Sequence, residues 1–162
     1  MENYYLQEEA LDKLFKELCP KNKNMSDILI KVSALNDFYS TNIFSVYSVA
    51  KHIYNLNIDN RLQAGDVTLV NDVMHVTIDG KQKNFYSFAT KYCSHHNQYD
   101  YPIYDSYVEK VLIYFRDKDG FSDFSTQELR GYSRFKSIII EFRQFYGLEQ
   151  YNLKLIDKYI SK

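Results

Sequence analysis

The segment YCSHHNQYDYPIYDS, residues 92–106, contains several side chains that can do chemistry close together. Among them are the types that bind zinc, namely Cys93, His95, His96, Asp100 and Asp105. If the first part of the segment is helical, Cys93 and His96 share one face and His95 points elsewhere. The sequence has no second ligand pair with C-x-x-C or H-x-x-x-H spacing. The pattern therefore predicts no metal site, and no cofactor is indicated.

Cys93 also lies beside histidine and aspartate, the side chains that activate a thiol nucleophile. Such triads are assembled in space rather than along the sequence. Cys93 falls on the apolar stripe of its predicted helix, where a small thiol is commonly buried. A structural role for Cys93 is therefore favoured over a catalytic one.

Asp105 precedes a predicted helix and competes with Ser106 to cap it. Ser106 and Glu109 have the S-x-x-E spacing of a capping box. If Ser106 is the cap, Asp105 has no structural role, and a carboxylate among tyrosines becomes a candidate base or a partner for a cation. If Asp105 is the cap, Ser106 is the first helical residue, and this alternative is favoured. Asp105 is the candidate catalytic residue of the sequence.

Candidate binding residues precede Asp105 in the sequence. Lysines interleaved with aromatic side chains suit the stacking of nucleic-acid bases beside a phosphate track, and an amphipathic helix edged with lysines has the same pattern. The tyrosines and histidines can equally contact a protein partner. The candidates are Lys81, Lys83, Tyr92, His95, His96, Tyr99, Tyr101 and Tyr104.

Apolar residues at helical spacing predict the elements that must position these side chains. A second helix, carrying Ile28 to Tyr39 and capped by Asn24 or Ser26, follows the first. A capping box of Ser125 and Glu128 begins the longest helix. That longest helix is predicted over 126–146, and the other helices over 4–18, 43–55, 83–96, 106–115 and 151–160.

Two of these helices, 43–55 and 83–96, are expected at the centre, clasped by 126–146. The apolar surface of 43–55 is broad and includes Phe44 and Tyr47. Residues 66–80 fit either a helix or a hairpin with an Asp-Gly turn, and the helix is favoured because its neighbours are helical.

The prediction is thus an all-α fold. It comprises a single compact domain of seven or eight helices over residues 1–162, with a short β-hairpin within 66–80 as the alternative there.

Composition limits the kinds of binding partner and the cellular compartment that are expected for the protein. The net charge is −1 and the pI about 6.4, so no long-range positive field steers the chain onto nucleic acid or an anionic membrane, although a local basic face is compatible with these values. The sequence contains no apolar run approaching the roughly 18 residues of a membrane span. Two cysteines fit free thiols in a reducing compartment, so the expected location is cytoplasmic.

The stretch FYSFATKYCSHHNQYDYPIYDS resembles the signature of a family of small, uncharacterised bacterial proteins, which implies no activity. Residues 28–115 also resemble the helix-hairpin-helix DNA glycosylases. Those proteins run from a glycine-rich hairpin through a helix to a loop, with a catalytic aspartate at the start of the next helix. The resemblance implies that Gly80 and Lys81 lie in the hairpin, that 83–96 is the following helix, and that Asp105 is the catalytic aspartate.

Two functions follow for the aromatic loop 97–107. In the first, the chain is a binding or interaction module, and the loop is a structural clasp or a partner surface. In the alternative, the chain is an enzyme related to DNA glycosylases that uses Asp105 on nucleic acid. The net charge favours the first function. The sequence does not identify the partner, for which a protein and a nucleic acid are the candidates.

Overall fold

The computed structural model describes residues 2–151 and 153. This part of the chain is mostly helical, with a π-helical segment at Lys13–Leu18, a 3-10 helix at Thr126–Arg130 and the strands β1 (His75–Ile78) and β2 (Lys81–Asn84). The α-helices are α1 (Glu2–Asp12), α2 (Met25–Tyr39), α3 (Val46–Leu56), α4 (Asp59–Ala64), α5 (Thr68–Met74), α6 (Tyr86–His96), α7 (Ser106–Asp119) and α8 (Tyr132–Phe145). The predicted fold class is confirmed. Apart from residues 151 and 153, the helix predicted over 151–160 lies outside the described residues.

Residues 66–80 contain both of the structures that the sequence allowed. Helix α5 buries one face, formed by Leu69, Val70, Val73 and Met74. The chain then forms the antiparallel hairpin of β1 and β2. Asp79 and Gly80 have φ values of 52° and 75° at its turn, which suits an Asp-Gly hairpin. Because the hairpin extends to Asn84, the helix predicted to begin at residue 83 begins at Tyr86 instead.

Helix α6 is buried on all sides. Every residue from Phe88 to His95 is buried, including Thr90, Lys91, Ser94 and His95, which the apolar stripe did not include. The helix packs against α5, α2 and the π-helical segment. The prediction that α6 is central is correct, but α5 and α2 are its main neighbours, and α3 packs instead on α2, α5 and β1.

The broad apolar surface predicted for the third helix is wrong at its N-terminal end. Helix α3 begins at Val46 and buries Val49, Ala50 and Ile53. Phe44 precedes the helix and is 95% exposed, and Tyr47 is also exposed. The pattern of apolar residues did not distinguish the buried face from aromatic side chains beside it.

The C-terminal half differs from prediction in its boundaries. Helix α7 continues to Asp119, past the predicted end at residue 115, and ends at Gly120 in the left-handed conformation. The Ser125–Glu128 capping box is present, but the helix that it begins is a 3-10 turn. Gly131, with extended backbone, separates that turn from α8. Helix α4 was not predicted from the sequence.

Candidate functional site

Asp105 is the N-terminal cap of α7. Its backbone is extended, and its Oδ1 accepts a hydrogen bond of 2.8 Å from the backbone N–H of Val108. Ser106 is therefore the first helical residue, which is the alternative that the sequence favoured. Glu109 does not complete a capping box with Ser106, because its carboxylate accepts a hydrogen bond from the hydroxyl of Tyr104.

Asp105 also lines an open cleft of about 410 Å³. The walls of this Asp105 cleft come from the end of α2, the strand–helix junction before α6 and the start of α7. They include Tyr39, Asn42, Asn84, Tyr86, Ser87, Lys91, Tyr104 and Asp105.

Aromatic rings dominate one wall of the Asp105 cleft. The rings of Tyr86 and Tyr104 stack with centroids 4.5 Å apart, and the hydroxyl of Tyr86 donates a hydrogen bond of 2.8 Å to the carbonyl of Leu129. Burial, and then the hydrogen bond to Glu109, raises the pKa of Tyr104 to about 12, so its hydroxyl stays protonated at neutral pH. The ammonium of Lys91 lies 4.3 Å from the ring centroid of Tyr39.

Hydrogen bonds join residues 97–104 to α4, to the segment that follows α4, and to α8. The hydroxyl of Tyr101 donates to the carbonyl of Asp66 at 2.9 Å, and the amide of Asn97 donates to the carbonyl of Leu62 at 2.9 Å. From the opposite side, the hydroxyl of Tyr132 donates to the carbonyl of Pro102 at 2.8 Å. These bonds hold the loop against the α4 segment and α8. The loop ends at Asp105, which it positions at the start of α7.

The other predicted binding residues are dispersed. Tyr92, His95 and Tyr101 are fully buried and Tyr104 is nearly so, whereas Tyr99 is exposed. Lys81 and Lys83 lie exposed on β2, whose last residue, Asn84, lines the Asp105 cleft. The structure thus brings Tyr104 and Asp105 to one cleft and His96 to another, on a different side of α6.

This second cleft, of about 600 Å³, lies above a polar cluster that sequence reasoning missed. Asn22 donates to Asp59 through its backbone N–H, at 3.0 Å to Oδ2, and through its side-chain amide, at 2.8 Å to Oδ1. Its amide oxygen accepts hydrogen bonds from the hydroxyl of Tyr92 and, at 2.8 Å, from the ammonium of Lys31. Asn22 and Lys31 are both buried.

Lys31 has three hydrogen-bond acceptors around its ammonium group. They are the carbonyl of Lys21 at 3.0 Å, the amide oxygen of Asn22 at 2.8 Å and Nε2 of His96 at 3.0 Å. Burial lowers the pKa of Lys31 to about 8, against the opposing attraction of Asp59. A sequence signal for this site existed, because Lys31 lies three residues after Ile28 and so falls on the buried face of α2.

Neither thiol chemistry nor metal binding finds support in the geometry. Cys93 is fully buried, and burial raises the pKa of its thiol far above the ordinary value, so the reactive thiolate is disfavoured. Among the described residues, no three His, Cys, Asp or Glu side chains are grouped so that they could hold a metal ion. No helix within residues 2–151 is both long and apolar enough to cross a membrane.

The described residues form a mostly helical domain with two clefts. Comparison with known proteins shows the family to which it belongs. Residues 1–100 match the HI_0787_N family, described as an N-terminal domain, and the chain belongs to that family. The chain is also 50% identical over 134 residues to an uncharacterised protein of Haemophilus influenzae. This match covers 82% of the chain but 64% of the relative, so the chain spans less than two thirds of that protein.

These matches support the predicted membership of an uncharacterised bacterial family. No solved structure matches the chain. Neither match names an activity, and the two clefts are the features of the chain that point to a function.

Proposed function

We propose that this chain is a binding module that takes an unpaired nucleobase into the Asp105 cleft. One observation carries the proposal: the carboxylate that caps α7 also lines an open, aromatic-walled cleft of about 410 Å³. Oδ1 of Asp105 is engaged by the backbone of α7, which leaves Oδ2 as the oxygen that can meet a ligand. A volume in this range suits a small planar group.

The chemistry of the walls supports a flat, hydrogen-bonding ligand. The half-buried ring of Tyr86, stacked on the buried ring of Tyr104, is the aromatic surface that this proposal gives to a base, and bases stack on such surfaces regardless of sequence. Asn84 provides both a donor and an acceptor, and Asp105 provides an acceptor. A nucleobase presents the complementary edge atoms and a π face.

Exposed charge on the neighbouring strand β2 supports a nucleic-acid strand over a free base. Lys81 and Lys83 are exposed on β2, directly before the cleft residue Asn84. Because alternate residues of a strand point to the same side, the two ammonium groups lie together on the face of β2 opposite to Asn84, where a strand would reach them around the edge of the hairpin. In this proposal the loop 97–107 is the clasp that shapes the site.

Binding is tested by fluorescence anisotropy with a labelled single-stranded oligonucleotide. Asp105→Asn keeps a capping side chain and removes the charge, so a changed affinity would report on the ligand rather than on folding. Lys83→Gln should weaken binding roughly threefold and reduce its salt dependence. Lys118→Gln, at the far end of α7, makes the same charge change and should have no effect. Equal weakening by both lysine variants, or no saturable binding, would overturn the proposal.

A glycosylase-like enzyme is the second candidate, favoured by a separate observation. The chain runs from the β1–β2 hairpin through α6 and a loop to Asp105 at the start of α7. This order is the one that the resemblance to helix-hairpin-helix glycosylases implies. Release of a damaged base from duplex DNA, lost in Asp105→Asn, would support catalysis. Release that is no faster than in that variant would exclude the enzyme and leave the binding module.

A further inference from the structure

The second cleft lies on another side of α6 and is independent of Asp105. Its rim is formed by the segment that joins the π-helical segment to α2 and by α4, and its inner end reaches His96 at the C-terminus of α6. We call it the His96 cleft. Its volume of about 600 Å³ is in the range of sites for small molecules.

The hydrogen bonds beneath the His96 cleft determine the tautomer of His96. An ammonium group donates and cannot accept, so Nε2 of His96 must accept the bond of 3.0 Å from Lys31. The side-chain amide of Asn22 also approaches Nε2, at 3.2 Å. Burial, and then the charge of Lys31, lowers the pKa of His96 well below its ordinary value. The imidazole is therefore neutral, with its proton on Nδ1, and the ring can offer an N–H donor.

Asn22 has a unique orientation in the same network. Its oxygen faces two donors, Lys31 and Tyr92, while its amide nitrogen faces the carboxylate of Asp59. Reversing the amide would place donors against donors and an acceptor against an acceptor. The network is therefore held in one arrangement, which is a requirement for a preorganised site.

Positive charge predominates around the His96 cleft. Lys21 and Lys23 lie at its rim with exposed side chains, and Lys31 lies beneath its inner end. Among the described residues that line it, Asp59 is the one carboxylate; it already accepts hydrogen bonds from Asn22 and lies 4.0 Å from the ammonium of Lys23. Asp59 and Asp27, which also attracts Lys31, offset two of the three lysines, so one positive charge remains for an anion to balance.

We propose that the His96 cleft binds a phosphate group, with Nδ1–H of His96 and the ammonium groups of Lys21 and Lys23 as donors. Lys31 does not touch the ligand and acts as a positioning residue. It fixes the His96 tautomer and adds a positive charge behind the site, where the protein interior screens it less than water would. The phosphate can belong to a small phosphate monoester or to a nucleic-acid strand.

The test is a titration of the full chain with inorganic phosphate at constant ionic strength, followed by two-dimensional NMR. Amide signals of residues 21–23, 59–63 and 96–97 should shift together and saturate, with a Kd on the order of 1 mM. The ¹⁵N spectrum of His96 should show the Nδ1–H tautomer before phosphate is added, and its Nδ1 signal should move on binding.

Matched lysine variants separate a site from general attraction to positive charge. Lys23→Gln, whose side chain is exposed, should raise the Kd roughly threefold without affecting folding. Lys118→Gln makes the same charge change in the last turn of α7 and should leave the Kd unchanged. Scattered shifts that do not saturate, or equal effects of the two variants, would overturn the proposal.

Two further titrations identify the source of the phosphate. Ribose 5-phosphate that binds more tightly than phosphate would indicate a small phosphate monoester, whereas displacement of phosphate by a DNA oligonucleotide would indicate a nucleic-acid strand. Asp105→Asn should leave the phosphate Kd unchanged, so failure of the nucleobase proposal and failure of this one can be told apart.

Discussion

Removal of the Asp105 side chain tests how the start of α7 is built. Asp105→Ala deletes the 2.8 Å hydrogen bond to the backbone N–H of Val108, and loss of such a cap costs about 1 kcal/mol. It also removes a negative charge from the positive end of the helix, worth about 0.3–1 kcal/mol. The free energy of unfolding should therefore fall by about 1–2 kcal/mol.

Two companion variants separate the cap from the charge. Asp105→Asn retains a side-chain oxygen that accepts from Val108 and loses only the charge, so its cost should be about 0.3–1 kcal/mol. Ser106→Ala changes an exposed first helical residue and should alter the free energy of unfolding by no more than about 0.5 kcal/mol.

The assay is urea unfolding of the three variants and the wild type, with the slope of the transition compared to confirm that the extent of unfolding is unchanged. For a chain of this size, the loss in Asp105→Ala corresponds to a fall in Tm of about 2–8 °C. A silent Asp105→Ala together with a loss of 1 kcal/mol or more in Ser106→Ala would refute the assignment of the cap. Asp105 would then be a carboxylate without a structural role.

Four other outcomes are expected. Gly65→Ala should lower the Tm strongly, because residue 65 has φ of +67° and the added Cβ would lie 2.5 Å from the carboxylate of Asp100. Gly120→Ala is the control: residue 120 also has a positive φ, but the added Cβ would have no atom within 4 Å, so the change should cost only about 1–2 kcal/mol of backbone strain. Cys93 should react with a thiol reagent only after denaturation, since burial raises its pKa and blocks access. The pKa of His96 lies well below 6.5, so the unfolded chain binds more protons below that pH; stability should fall with acid, and less steeply in His96→Gln. Protein purified without added metal should contain no stoichiometric zinc by elemental analysis. One equivalent of zinc that survives dialysis would contradict the prediction, made from the ligand spacing, that the chain has no metal site.

The sequence by itself determined the main helices and several of their ends. The 3.6-residue spacing of apolar side chains identifies α2, α6, α7 and α8, because a helix that packs on a core must place those side chains on one face. The Ser125–Glu128 box was readable because its two hydrogen bonds join residues three apart. The Asp79–Gly80 turn was readable for the same reason, since its conformation depends on local backbone preferences.

The sequence limited the N-terminal cap of α7 to Asp105 or Ser106, but it did not decide between them. Both residues are good caps, and neighbours along the chain satisfy either arrangement. The structure selects Asp105 because Glu109, the partner that Ser106 needs, contacts Tyr104 instead. That contact depends on how the loop packs against α7.

Only the tertiary structure decided which polar side chains are buried and where the clefts lie. Periodicity assigns a helix one buried face, but α6 is enclosed on all sides, so Lys91 and His95 are buried as well. Lys31 occupies a buried position on α2, where the helical pattern predicts an apolar residue. It is tolerated there because Asn22 and His96, distant in sequence, supply acceptors for its ammonium group. Such partners are brought together by packing between elements, and local sequence patterns carry no information about those distances.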